Sequence, residues 1–289
     1  MSGTVSPVQS RRLARTLRRW RERSGYSVER AADELLCGAG TVSRMETGGS
    51  AEPLRVKSAL ELYGAPARVV ADMVEAAKRR RRRGVVRRPY HDFVSHTFAE
   101  YLDLENEASE LRCYQSDIVH GLLQTEDYIR ALLSDAGAVI APADADKFVR
   151  LRLDRQQRLT GENPLALRVV LGEAALYTEV GGPVVLRDQL GHLVEIAESS
   201  PNIELRIMPF TVGGHPALGC NFTLLAFTGV DYAAEPESIY TENVVFFSLG
   251  DDDDDVARFA RVYDEVWSMT ADAEASVEMM RSARAKLTT

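Results

Sequence analysis

The stretch "YSVERAADELLCGAGTVSRMETG", Tyr26 to Gly48, constrains its surroundings more than any other part of the chain. Ala31 with Ala32 and Val42 with Met45 are apolar pairs at helical spacing, separated by a turn built on Cys37, Gly38 and Ala39. That spacing buries one face of each short helix and leaves Thr41, Ser43, Arg44 and Thr47 outside. Ser27 is placed to cap the first helix, Val28 to Leu36, through its side-chain oxygen. Arg30 stands where a capping box wants Glu, so the cap is partial.

The neighbours are helical too. Gln9 to Arg23 carries Leu13, Leu17 and Trp20 on one side, and Gly25 sits where a helix stops. Pro53 starts a fourth helix through Leu54, Leu60 and Leu62, stopped by Gly64, and a fifth runs from Ala65 through Val69, Val70, Met73 and Val74 into "KRRRRRG". A helix, a short turn, a small helix with exposed Ser, Thr and Arg, and two supporting helices make a helix-turn-helix arrangement.

Charge separates this part from the rest. Residues 1–88 hold 20 Lys or Arg against 9 Asp or Glu, a net +11, while the remaining 15 against 34 give −19 and leave the whole chain at −8. A basic module joined to an acidic body suggests that one end meets a polyanion. The residue types fit DNA. Arg44 can offer two parallel donors to guanine, Ser and Thr hydroxyls reach phosphates or base edges, and Gly38, Ala39 and Gly40 expose backbone N–H groups at the helix start. The DNA-contacting set expected on these grounds is Ser27, Gly38, Ala39, Gly40, Thr41, Ser43, Arg44 and Thr47, with Arg79, Arg80 and Arg81 lying along phosphates.

The stretch resembles the xenobiotic-response-element class of helix-turn-helix regulators, related to the Cro and phage repressor domains. Ala31 and Ala32, the anchors Val42 and Met45, and the ending Glu46-Thr47-Gly48 carry the resemblance. Where that family often has Ser or Gln at the start of its reading helix, this chain has Gly38-Ala39-Gly40. Thr41, Ser43 and Arg44 are left to do most of the contacting.

The length of 289 residues exceeds one average domain. The expected division is a helix-turn-helix domain at 1–77, a basic linker at 78–89, and a larger α+β domain with a mostly antiparallel sheet at 90–289. In the last part helices are expected at 97–111, in the second half of 118–133 with Thr125 as cap, at 144–159, 184–197, 256–269 and 273–287. Strands are expected at 165–171, 203–208, 222–227, 238–241 and 244–249. The 144–159 helix reads as strongly basic through Arg150, Arg152, Arg155 and Arg158.

"VHGLLQTEDY", "RLDRQQRLT", "VLGEAALY", "QLGHLVEIA", "IELRIMPF" and "GGHPALGCNFTLLAF" follow the order seen in the C-terminal domain of unknown function of actinobacterial, antitoxin-like transcriptional regulators, and the sequence resembles the WhiJ-like regulators among them. In that family the first motif usually has proline where His120 stands here. The resemblance implies a regulator often encoded beside a small partner protein.

Other chemistries find no support. There is no HExxH, no nucleophile elbow and no phosphate loop, so no enzyme, cofactor or metal is expected. "GDDDDDV", Gly250 to Val256, lacks the glycine and glutamate of a calcium loop and reads as the acidic cap of the helix behind it. Cys37, Cys113 and Cys220 are far apart and odd in number, which fits free thiols in a reducing cytoplasm. No run of residues has the length and apolarity of a membrane span.

The function expected is a homodimeric, sequence-specific transcriptional regulator in the cytoplasm. It binds a double-stranded operator, and its C-terminal domain holds a small protein partner. The alternative is a repressor that senses a small molecule in a C-terminal pocket near His215 and Cys220. His120, Gln124, His215 and Cys220 are the candidate ligand or partner residues.

Overall fold

The computed structural model describes residues 7–48, 51–82, 89–135, 144–227, 236–242 and 247–287. The chain divides into two compact units, one reaching His91 and the other beginning at Asp92.

The first unit holds α1 (Pro7–Arg23), α2 (Val28–Glu34), α3 (Ala39–Glu46), α4 (Pro53–Leu62) and α5 (Ala67–Arg82). Leu13, Leu17, Ala31, Ala32, Val42, Met45, Val56, Leu60, Val70 and Met73 form one core, with Trp20, Val28 and Leu35 packed at its margin. Leu54, in the first turn of α4, is 74% exposed. The buried face of α4 is Val56, Ala59 and Leu60, and a residue two positions before Val56 points roughly 200° away from it. Lys78 to Arg82, expected as linker, continue α5 as helix, and 83–88 lie outside the described residues.

Three helix ends in this unit use the same hydrogen-bonded reversal. After α1, Gly25 N donates to Glu22 O and Tyr26 N to Arg21 O; after α4, Gly64 N donates to Glu61 O and Ala65 N to Leu60 O. After α2, Leu36 N donates to Asp33 O and Cys37 N to Ala32 O. The reversal puts one residue in the left-handed region, which Gly25 and Gly64 occupy without cost and Leu36, at φ +50°, does not. Because no glycine marks it, the sequence places the end of α2 at Leu36, two residues beyond the actual end at Glu34.

The second unit comprises α6 (His96–Glu105), β1 (Glu110–Gln115), α7 (Glu126–Asp135), α8 (Ala145–Gln156), β2 (Ala166–Gly172), α9 (Pro183–Ser199) and β3 (Ile203–Met208). It continues with β4 (Phe222–Ala226), β5 (Pro236–Glu242), β6 (Phe247–Gly250), α10 (Asp253–Met269) and α11 (Ala273–Lys286). The six strands form one sheet in the order β3-β2-β1-β4-β5-β6. β1 runs parallel to β2 and β2 to β3, while β1–β4, β4–β5 and β5–β6 are antiparallel. The unit is thus α+β with a mostly antiparallel sheet. Val244 to Phe246, expected to begin the last strand, lie outside the described residues.

One central element departs from the sequence reading. Glu110–Gln115 is a strand, although the helical pattern of the sequence extends to Leu111, and it joins the parallel half of the sheet to the antiparallel half. On one side of the sheet Tyr114, Val170, Met208, Phe222, Leu224 and Ile239 pack on Val256, Tyr263 and Val266 of α10. The neighbouring Leu111, Cys113, Val169 and Leu225 are also fully buried, so the inner strands are covered on both faces. The acidic run caps α10 as expected: Asp252 accepts from Asp254 N at 3.1 Å and Asp255 N at 3.2 Å.

Candidate functional site

α3 is anchored by Val42 and Met45, which are 1% and 2% exposed. Ser43, Arg44 and Thr47 are exposed and Thr41 is half-buried, so the helix shows a polar strip outward. The Arg44 guanidinium donates to Thr41 Oγ1 at 3.4 Å, leaving the threonine hydroxyl hydrogen unspent. Thr47 instead donates to Ser43 O at 3.0 Å and must turn to reach a phosphate. Ser27 Oγ accepts from Arg30 N at 3.1 Å and so caps α2, while its hydroxyl hydrogen-bonds the Glu29 carboxylate and helps to lower that group's pKa.

The start of α3 is bare. Gly38 is its N-cap, with no side-chain cap, and Ala39 and Gly40 are exposed beside it. A Cβ added at Gly38 or Gly40 would meet nothing within 4 Å, and neither lies in the left-handed region. The domain's own packing does not demand glycine at these places. What their absent side chains do provide is close access to free N–H groups at a helix N-terminus. Arg79, Arg80 and Arg81 lie in the last turns of α5 by their backbone.

A second feature, invisible in the sequence pattern, holds α3 in place. Arg21 of α1 donates through Nε to Glu46 Oε1 at 2.7 Å and through Nη2 to Glu46 Oε2 at 2.9 Å, while Nη1 donates to Tyr26 O at 2.8 Å. Both side chains are about nine-tenths buried. The hydrogen bond to Glu46 raises the Arg21 guanidinium further above its already high value. This fork fixes the end of α3 against α1 and ties the same arginine to the turn before α2. In the sequence Arg21 looks like one more arginine on a basic helix.

The four candidate residues of the second unit fall in two places. His120 and Gln124 line one cavity, together with Gln115, Arg152, Arg155, Thr223, Tyr240 and Glu242. His120 Nδ1 accepts from Leu122 N at 3.3 Å, and burial pushes its pKa down to about 4. Gln124 donates to Val119 O at 2.7 Å and accepts from Arg152 at 2.8 Å. His215 and Cys220 are not among the residues lining that cavity. His215 Nε2 lies 3.2 Å from the Tyr114 hydroxyl, and Cys220 packs at the margin of the core under α10.

Beneath the cavity lies a second buried fork. Arg155 donates to both oxygens of Glu105 at 2.7 Å, and Tyr101 Oη donates to Glu105 Oε2 at 2.7 Å. Burial alone would raise the Glu105 carboxyl, but the Arg155 guanidinium outweighs it and holds it below the usual range. Among the described residues no group of three or more His, Cys, Asp or Glu is placed to hold a metal, and no helix is long and apolar enough to cross a membrane.

Comparison with known proteins agrees with the division. Residues 12–73 match a helix-turn-helix domain, which supports a DNA-binding regulator. Neither a curated protein nor a solved structure matches the chain. Residues 98–282, well over half of the chain, match the family described as domain of unknown function (DUF5753), and the protein belongs to that family.

Proposed function

We propose that the protein is a sequence-specific transcriptional regulator that binds operator DNA as a homodimer, one α3 per half-site, and takes its regulatory input from a small protein partner on the second unit. The observation that carries the DNA reading is α3 itself. Its inner face is locked by Val42, Met45 and the Arg21–Glu46 fork, and its outer face offers Ser43, Arg44 and Thr41 with a glycine-flanked start. In this arrangement Arg44 and Ser43 face base edges, and Ser27, Gly38, Ala39, Gly40, Thr41 and Thr47 meet phosphates. Arg79 to Arg81 add contacts without sequence choice.

The dimer reading rests on how such motifs commonly meet DNA: one helix-turn-helix covers one half-site, and dimers bind two spaced about one helical turn apart. Selection of bound sequences from a random DNA pool by the full chain, with the mass of the complex measured in solution, tests this. Two related half-sites and a complex holding two chains are expected. A single half-site bound tightly by one chain overturns the dimer. The partner is tested by isolating the protein from its native cell and identifying what accompanies it. A chain that returns alone, with its DNA, overturns that part.

A further inference from the structure

The cavity at His120 and Gln124 is built from elements distant in sequence. α6 supplies Tyr101, β1 ends in it with Gln115, and the connection after β1 contributes His120 and Gln124. α8 adds Arg152 and Arg155, β4 adds Thr223, and β5 adds Tyr240 and Glu242. Its volume is about 80 Å³. That is smaller than the roughly 150 Å³ that holds a benzene ring, so it suits a single functional group with a few carbons and not a nucleotide.

Several of its polar groups have hydrogen-bonding capacity that the protein does not use. Gln115 is only 7% exposed, yet among the described residues its amide has no partner. His120 is 5% exposed, and because Nδ1 accepts from the Leu122 amide, the neutral ring carries its proton on Nε2, which among the described residues has no acceptor. The Gln115 amide and His120 Nε2 are open to the cavity and not sealed off from solvent, so both can hydrogen-bond what enters it.

Arg152 supplies the charge. Its one side-chain hydrogen bond among the described residues goes to the neutral amide of Gln124, at 2.8 Å, whereas Arg155 one turn away is consumed by Glu105. Burial, with the like charge of Arg155 beside it, pushes the Arg152 pKa down to about 10, against the weaker pull of Glu242. Such a depression marks a guanidinium without a close counter-charge. Glu242 is exposed and accepts from Tyr240 Oη at 2.7 Å.

We propose that this cavity is a binding site for a small oxyanion, a short carboxylate or a free phosphate, held by the Arg152 guanidinium with Nε2–H of His120 and the Gln115 amide as its other donors. The donor set is planar and forked at Arg152, which matches two oxygens of one group. Gln124 holds the guanidinium at the cavity, and Gln156 fixes that segment in turn by donating to Gln124 O at 2.7 Å. The site is independent of whether α3 reads DNA.

The test is a calorimetric titration of the full chain, without DNA, with propionate, inorganic phosphate and propionamide as probes. Saturable binding of one probe per chain by propionate or phosphate is expected, with propionamide at least about ten-fold weaker. Whichever anion binds identifies the source, and both must obey the same variants. Arg152→Gln is expected to abolish binding, and Gln115→Leu to weaken it several-fold. Because Arg152→Gln risks the fold, Glu242→Gln serves as the second arm: it removes an exposed like charge and is expected to tighten anion binding several-fold. Absence of binding by both anions, equal binding of propionamide, or indifference to both Arg152→Gln and Glu242→Gln overturns the proposal.

Discussion

Each unit contains a buried arginine–glutamate fork, and the two forks do different work. Arg21 and Glu46 are joined across α1 and α3, and the groups offered for contact lie on the outside of the helix they hold. Arg155 and Glu105 are joined across α8 and α6, and the groups left unspent lie inward, at a cavity. The same side-chain chemistry thus fixes a surface in one unit and the wall of a cavity in the other. A surface offered outward needs its scaffold behind it, whereas a cavity needs its scaffold around it.

The largest effects are expected where a fork is broken from one side. Glu105→Ala leaves the Arg155 guanidinium without its hydrogen-bonded counter-charge and strips Tyr101 of its acceptor, a loss of about 3–5 kcal/mol. Arg21→Ala leaves Glu46 alone, with a cost at the lower end of that range because Glu46, at 6%, is more exposed than Glu105, at 2%. Thermal unfolding of the two variants checks the order. In addition, Arg21→Ala is expected to weaken DNA binding although Arg21 faces away from the outer strip of α3. If Arg21→Ala unfolds normally and binds DNA normally, the fork is incidental to α3.

The second expectation belongs to the cavity alone. His120 titrates at about 4 in the folded chain against about 6.5 when free, so it is neutral at pH 7 in both states. As pH falls below 6.5 the unfolded chain binds the proton first, and the folded state loses stability until pH reaches about 4. The full difference is roughly 3 kcal/mol. Burial is the main cause; Glu105 opposes it, and Arg155 and Arg152 reinforce it. His120→Gln removes this contribution, so the wild type should lose more stability than the variant between about pH 6.5 and 4.5. Parallel pH profiles would show that the ring is not held neutral.

How far the sequence foretells the two sites follows the same division. In the first unit the signals are local: Val42 and Met45 three apart, Ser27 before α2, Gly25 and Gly64 at helix ends, and the structure has each in its expected place. In the second unit the decisive pairings are remote. Arg155 meets Glu105 fifty positions away, so the sequence reads 144–159 only as a strongly basic helix, whereas Arg152 and Arg155 line the cavity. β1 escapes the pattern for a related reason: its neighbours, β2 and β4, begin more than fifty residues later, and "ELRCYQ" follows directly on a helical pattern. Sequence reasoning groups His120 and Gln124 with His215 and Cys220, and only the fold separates the two pairs.

A third, smaller effect concerns the outer strip. Arg44→Ala is expected to cost about 1–3 kcal/mol on the selected operator and to flatten preference at one base pair, as a bidentate guanine contact requires. Replacing Arg79 and Arg80 by glutamine should weaken all DNA alike and reduce the salt slope by about one unit for each phosphate that is no longer neutralised. Binding isotherms on operator and random DNA at several salt concentrations separate the two classes. Equal weakening on both DNAs for Arg44→Ala would assign that residue to the backbone.

The smallest effect tests whether the first unit carries strain for the sake of what lies outside it. Leu36 holds the left-handed position that Gly25 and Gly64 fill at the other two reversals, and it is 95% exposed, so its side chain gains nothing from the core. Relief of the left-handed penalty is worth about 1–2 kcal/mol, from which the larger entropy of glycine in the unfolded chain subtracts up to about 1 kcal/mol. Leu36→Gly is therefore expected to raise the melting temperature of the first unit by a few degrees. Its position, two residues before the N-cap of α3, puts an exposed leucine beside that helix. Apolar side chains in the major groove contact thymine methyl groups, so a variant that melts higher yet binds the operator more weakly would mean that the strained leucine is held for DNA. A variant that melts higher and binds equally well makes the strain idle, and one that melts lower shows that Leu36 is not strained in solution.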